Sequence, residues 1–241
     1  MECCDIIRNT WKTKQREERR RIFLSLFYHT VLWDLDGTVF ESGEGILQTA
    51  RETMAHFGWP EPEPERLRRF VGPPSHESYE RIAGMPHEMA QRAGHWHRAR
   101  YLAGNWRMSR FFPGIPELLR DLRQEGAKLA VASTKPRPAM EAMMDAFSLW
   151  DTFDFFACAN PDGTGGEKPA LIRRALDALG EHDNSRAVMI GDTRYDAAGA
   201  RDTAVPFIGV LYGYGTREDM EEQGARVFAA DAGELRRLLI G

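Results

Sequence analysis

The chain has 241 residues, 42% of them hydrophobic and 28% charged, which is enough apolar content for a packed core rather than a disordered chain. A formal net charge of −4 argues against a nucleic-acid-binding surface spread over the protein. No apolar run approaches the roughly 20 residues needed to cross a bilayer. Three cysteines, Cys3, Cys4 and Cys158, form neither a disulfide framework nor a metal cluster of recognisable spacing. They fit a reducing, cytoplasmic setting, with Cys158 as a small core residue.

Residues 1–27 differ in character from the rest of the chain. Arg8, Lys12, Lys14, Arg16, Arg19, Arg20 and Arg21 stand against Glu2, Asp5, Glu17 and Glu18, so this segment carries +3 and the rest −7. Ile22–Phe27 is apolar but too short for a secretory signal and lacks its cleavage site. The segment reads as a frayed or helical extension. Tyr28–Val39 comes next, with the apolar run Val31-Leu32-Trp33 ending in Asp34-Leu35-Asp36-Gly37-Thr38. A short β-branched and aromatic run closed by a glycine turn predicts a buried strand. Asp34 and Asp36 then sit at its carboxyl end, where open α/β sheets place ligands. Two carboxylates so close repel each other, and a bound cation or a shared proton would relieve them. Turn and helix capping is the plainer alternative.

Ile46, Leu47, Ala50, Met54 and Phe57 recur at helical spacing, and Gly58 and Pro60 stop that helix. A Pro-rich loop, residues 60–64, and helical stretches at 65–70, 76–82 and 87–102 come after it. No strand is predicted between Phe40 and Asn105. The organisation is therefore a core of residues 28–44 and 112–241 interrupted by a helical insert, residues 45–111. From Ile115 the pattern alternates: helix to Gly126, strand 127–132, helix 139–147, strand 153–158, helix 171–179, strand 187–190, helix 197–203 and strand 207–210. This alternation predicts an α/β fold with a doubly wound parallel sheet.

Three more stretches carry chemistry. Val131-Ala132-Ser133-Thr134-Lys135-Pro136 puts two hydroxyls at a strand end, suited to an anion or to a helix N-cap. Gly165-Gly166-Glu167-Lys168-Pro169 sets a lysine in a glycine-rich loop before a helix. Val188-Met189-Ile190-Gly191-Asp192 repeats the opening design, with Asp196 four residues further on. All strand-to-helix crossings of a parallel sheet face one side, so these groups share one oxygen-rich rim suited to a hard cation such as Mg²⁺. Capping explains any one of them better than it explains all.

Taken in order, Asp34-x-Asp36-Gly37-Thr38, Ser133, Lys168-Pro169 and Gly191-Asp192-x-x-x-Asp196 resemble the haloacid dehalogenase-like hydrolase superfamily over residues 28 to about 240. The insert resembles the small helical cap of that family. Val71-Gly72-Pro73-Pro74, Arg98-x-Arg100-Tyr101, Phe112-Pro113-Gly114 and Gly209 to Gly215 are similar to its phosphoglycolate phosphatase-like branch, which shares much with phosphatases of nucleoside monophosphates. The resemblance implies a Mg²⁺-dependent phosphatase acting on a small phosphorylated metabolite. Asp34 would be the nucleophile and Asp36 the acid and base. Ser133, Thr134, Lys168 and Gly37 would hold the phosphoryl group. Asp34, Asp36 (through its carbonyl), Asp192 and Asp196, directly or one shell out, would hold the metal. Gly72, Pro73 and Arg98 would contribute to substrate choice. Glu41 stands where aspartate is usual and Trp33 where phenylalanine is common. Neither removes an essential group. Dehalogenation would need no Mg²⁺, Asp36 or Asp192/Asp196 pair. A phosphomutase or a non-catalytic phosphate-binding protein are further alternatives.

Overall fold

The computed structural model describes residues 26–240. The extension read over residues 1–27 therefore lies outside the described residues, except at its last two positions. Those two belong to the fold: Leu26 is buried in the main core, and the Phe27 N–H donates to the Leu239 carbonyl at 3.1 Å.

Strand β1 (Thr30–Trp33) is wholly buried and lies at the centre of a six-stranded sheet ordered β5-β4-β1-β6-β7-β8. The other strands are β4 (Lys128–Pro136), β5 (Phe155–Ala159), β6 (Ala187–Gly191), β7 (Phe207–Val210) and β8 (Val227–Ala229). Every pairing is parallel. Side chains alternate across a strand, so Val31 and Trp33 enter one apolar cluster and Leu32 the other. Each face is covered by helices. On the first face lie α4 (Ile115–Gln124), α5 (Arg137–Ala146) and α9 (Ala232–Leu239), through Leu118, Met140 and Leu235. On the second face lie α6 (Lys168–Leu179) and α7 (Arg194–Asp202), through Leu171 and Ala200. A nearly continuous apolar strand between two covered faces is what a parallel sheet requires.

The insert leaves the core through β2 (Phe40–Glu41) and returns through β3 (Arg110–Phe111), which pair antiparallel. Between them run α1 (Gly43–His56), α2 (Pro64–Arg68), a helical turn at Ser75–Glu77 that continues as a π-helical turn at Ser78–Ile82, and α3 (His87–Ala103). Ala50, Met54, Leu67, Phe70, Tyr79 and Ala93 give the insert a small core of its own. Pairing of Glu41 with Arg110, at 2.8 Å, joins the two connecting strands on the surface. An exposed pair of this kind adds little stability.

The expected elements are present, with shifted ends and additions. Strand β4 extends beyond Ala132 to Pro136, and β5 begins at Phe155 rather than Phe153. Five of these elements had no counterpart in the sequence reading: β2, which falls in the stretch from Phe40 expected to hold no strand, β3, β8, α8 (Arg217–Glu222) and α9. An edge strand of three residues and a helix of six are too short to show a hydrophobic period.

Leu26 supplies a test of where the fold begins. A chain starting at Tyr28 is expected to be less stable than one starting at Leu26 by about 1.5–3 kcal/mol, the worth of burying one leucine. Urea unfolding of the two truncations side by side measures the difference.

Candidate active site

The strand order turns at β1: the chain builds outward to β4 and β5, then returns to β6 on the other side. The register pairs Trp33 with both Val131 and Ile190. The residues just beyond these, Asp34, Ala132-Ser133 and Gly191-Asp192, therefore crowd together at the carboxyl edge. The Asp34 N–H donates to the Ile190 carbonyl at 2.9 Å, which ties it to β6.

Asp34, Asp192 and Asp196 are buried, and each offers an oxygen within 4.8 Å of the others. Lys168, at the start of α6, answers part of this negative charge. Its Nζ lies 2.9 Å from Asp34 Oδ1 and 2.7 Å from Asp196 Oδ1, and it donates to the Ala132 carbonyl at 2.9 Å. Burial works against its charge, but Asp196 and Asp34 outweigh burial and hold the ammonium above the usual lysine range. One lysine does not balance three carboxylates. Burial pushes Asp34 up to about 6, against the pull of Lys168 and with the repulsion of Asp196 and Asp36 adding to it. Burial and the charges of Asp196 and Asp34 raise Asp192 well above the carboxylate range. An oxygen-only cluster with surplus negative charge is the donor set that suits a hard divalent cation such as Mg²⁺. The residues fit the group that the sequence implied.

Each carboxylate is also oriented. Asp192 accepts from Thr38 Oγ1 at 3.2 Å and from the Tyr214 N–H at 2.8 Å. Asp196, in the first turn of α7, accepts at Oδ2 from the Thr193 N–H (3.0 Å) and Thr193 Oγ1 (2.7 Å), a capping contact as well as a site contact. Gly37 has φ +84°, and a Cβ there would fall 2.1 Å from Asp192 Oδ2. Only glycine leaves that approach open. A Cβ on Gly213 would lie 2.3 Å from the Asp192 Cβ, so the second glycine-rich loop also closes on this carboxylate.

Above the buried cluster, between core and insert, lies a cleft of about 320 Å³. Asp36, Gly72, Pro73, Arg98 and Thr134 line it together with Phe70, Tyr101 and Lys135. The expected residues thus divide in two. Asp34, Gly37, Lys168, Asp192 and Asp196 are tied together at the sheet edge. Asp36, Thr134 and the insert residues face the cleft. Ser133 is buried between the groups and accepts from the Lys135 N–H at 3.3 Å. Gly72 approaches the core directly, with its carbonyl 3.4 Å from Thr134 Oγ1. His95 is exposed and His97 buried, in keeping with their two-residue spacing on a helix, although the broad cleft touches both.

Three contributors carried no role in the sequence reading: Lys135, Thr38 and the Tyr214 backbone. Lys135 is buried, its Nζ 2.9 Å from Asp36 Oδ2 and 3.1 Å from Tyr101 Oη. Its signal was a base placed between a strand-end hydroxyl pair and a proline. Thr38 and Tyr214 had none beyond membership of glycine-containing turns.

A family model described as haloacid dehalogenase-like hydrolase matches residues 31–210. The chain is 34% identical to a 5′-nucleotidase of Pseudomonas aeruginosa over 89% of its length and 97% of that protein. It is 36% identical to the tyrosine-protein kinase PtkA of Mycobacterium tuberculosis, over 87% of this chain and 72% of that one. Identity to a phosphoglycolate phosphatase of Caulobacter vibrioides is 35%, over 81% and 84%. A crystal structure of a predicted phosphatase from Clostridium acetobutylicum superposes with a TM-score of 0.82 at 32% identity, over 88% of this chain and 97% of that one. With its family match across most of the sheet and the acidic rim, the chain belongs to the haloacid dehalogenase-like hydrolases.

Proposed function

We propose that the protein is a Mg²⁺-dependent phosphomonoesterase that works through an aspartyl-phosphate on Asp34. The observation that carries this reading is Asp34 itself. It is a buried carboxylate at the end of the central strand, paired to Lys168 on one side and facing Asp192 and Asp196 on the other. In the first step an Asp34 oxygen attacks phosphorus and the ester P–O bond breaks, while Asp36 gives its proton to the departing alkoxide. In the second step water attacks the phosphoryl group, Asp36 takes the proton and Asp34 is released. Lys168, Ser133, Thr134 and the turn at Gly37 hold the phosphoryl oxygens as their charge redistributes.

A bound Mg²⁺ would supply further positive charge to those oxygens. Asp34, Asp192 and the Asp36 carbonyl would hold it. Asp196 has less capacity left, since Oδ2 already accepts twice and Oδ1 meets Lys168, so it would act through water.

The substrate reading is a small phosphomonoester of the phosphoglycolate type. A nucleoside monophosphate is favoured by one observation, the size of the cleft and its apolar walls, which include Ile46, Phe70, Tyr101 and Leu102. The 5′-nucleotidase name of one relative points the same way.

Phosphate release from 2-phosphoglycolate and from nucleoside monophosphates, with and without Mg²⁺, tests the reading. Activity is expected to need the metal and to fall by at least about a thousandfold in Asp34→Asn, because the covalent path is then lost. Turnover that survives both chelator and this variant would refute the mechanism. A further arm with ATP and a tyrosine-containing peptide reads out the kinase activity that the name of PtkA suggests.

The carboxylate cluster also predicts how metal, pH and stability are linked. Asp34 is raised in the folded state from 3.8 to about 6, so it favours folding at low pH. That contribution is lost as pH rises through about 6. In chelator, the thermal midpoint is expected to fall between pH 5 and 7.5. Mg²⁺ should restore it most at the higher pH, where it no longer competes with protons. Asp192→Asn should flatten the pH dependence and abolish the Mg²⁺ shift. Differential scanning fluorimetry in chelator and in excess Mg²⁺ measures both.

A further inference from the structure

Asp36 lines the cleft, and the proposed reaction needs one of its oxygens to exchange a proton with the substrate. The two oxygens stand in different surroundings. Oδ2 is 2.9 Å from Lys135 Nζ, whereas Oδ1 is buried and has no hydrogen-bond partner among the described residues. Lys135 is itself almost without solvent contact. Its Nζ also donates to Tyr101 Oη at 3.1 Å and lies 4.5 Å from the centre of the Tyr101 ring. Tyr101 belongs to α3 of the insert, while Lys135 belongs to the end of β4 in the core. The strand pairing between β4 and β5 shifts register between Ser133 and Pro136, the stretch that carries Lys135. A bulge of this kind re-aims a side chain.

We propose that Lys135 is a positioning residue for Asp36. By fixing Oδ2 it leaves Oδ1 as the oxygen that exchanges the proton, and Tyr101 brings the insert into the same arrangement. Without the lysine, the carboxylate is free to rotate and Oδ1 is no longer selected. Without the tyrosine, Nζ loses the contact that fixes it from the insert side. A buried acceptor left without a partner is costly, so the bare Oδ1 marks a place where a proton belongs. The inference rests on the phosphatase reading and deepens it. Lys168 anchors the nucleophile, and Lys135 anchors the acid and base.

The test uses a leaving-group series in Mg²⁺: p-nitrophenyl phosphate, whose phenolate departs without a proton, and alkyl phosphates, whose alkoxides need one. For Lys135→Met, kcat/KM on alkyl phosphates is expected to fall by about tenfold to a hundredfold, within the range general acids supply. The fall on p-nitrophenyl phosphate should be much smaller. Lys135→Arg should recover part of the loss, and Tyr101→Phe should show the same pattern more weakly. An equal fall on every leaving group would overturn the proposal, since a structural or phosphate-holding lysine would act that way. A crystal structure of metal-free Lys135→Met provides the second arm. Rotation of the Asp36 carboxylate away from its present position supports the proposal, and an unmoved carboxylate overturns it. Failure of the wild-type protein to hydrolyse any phosphomonoester would instead sink the phosphatase reading. The structure of the variant would then decide alone whether Lys135 positions Asp36.

Discussion

Repulsion among Asp34, Asp192 and Asp196 is the constraint on which the site depends. Three buried carboxylates within reach of one another cannot all keep their charge without compensation. Lys168 provides part of it, touching Asp34 and Asp196 together. Among the described residues Asp192 has no such partner and relies on the Thr38 hydroxyl and the Tyr214 N–H. Two dipoles orient a carboxylate but do not neutralise it. The remaining negative charge suits a cation, and burying it costs the fold stability.

The sheet is what makes such a cluster possible. Parallel strands send all their carboxyl ends to one edge, and the strand order turns at β1, leaving a crevice there. Asp34 comes from β1, Ser133 from β4 and Asp192 from β6, so residues about 100 and 158 positions apart in sequence become neighbours through register alone. Helix starts then add Lys168 from α6 and Asp196 from α7. No flexible loop has to hold Asp34. Its strand is wholly buried, as is β6 beside it.

Much of this was legible in the sequence, and the reasons differ from residue to residue. Asp34 and Asp192 could be found because each ends a short apolar run, Asp34 three residues before Gly37 and Asp192 directly after Gly191, a pattern that capping alone does not explain. The six parallel strands could be anticipated because strands and helices alternate, except for β8, which is too short to carry a period. Lys135 could not be assigned in advance. Its partner Asp36 is 99 positions away and its other partner, Tyr101, lies in the insert. Nothing local distinguishes a lysine that turns inward onto two distant groups from one that is solvated. The roles of Thr38 and the Tyr214 N–H were hidden for a related reason. A backbone donor leaves no trace in residue identity, and a threonine in a turn has an ordinary local explanation.

The same division explains why the phosphoryl chemistry can be read further than the choice of substrate. In the proposed reaction the buried cluster would meet only the phosphoryl group, which all phosphomonoesters share. The leaving group of that reaction would meet the cleft, built from the insert, from Thr134 to Ala139 and from the turn at Pro161 and Gly163. Two strong bases, Lys135 and Arg98, line it. Lys135 is already taken by Asp36. On the proposed reading Arg98, whose Nε is buried without a partner among the described residues and whose charge faces Asp162, would be left to meet any acidic group on the substrate. A two-carbon acid would fill little of the 320 Å³ and would depend on this one arginine. A larger leaving group would also use Phe70, Tyr101 and Leu102, and would gain from each apolar surface that it covers. On the proposed reading, selectivity would therefore turn on the balance between one cation and several apolar walls, and both belong largely to the helical insert.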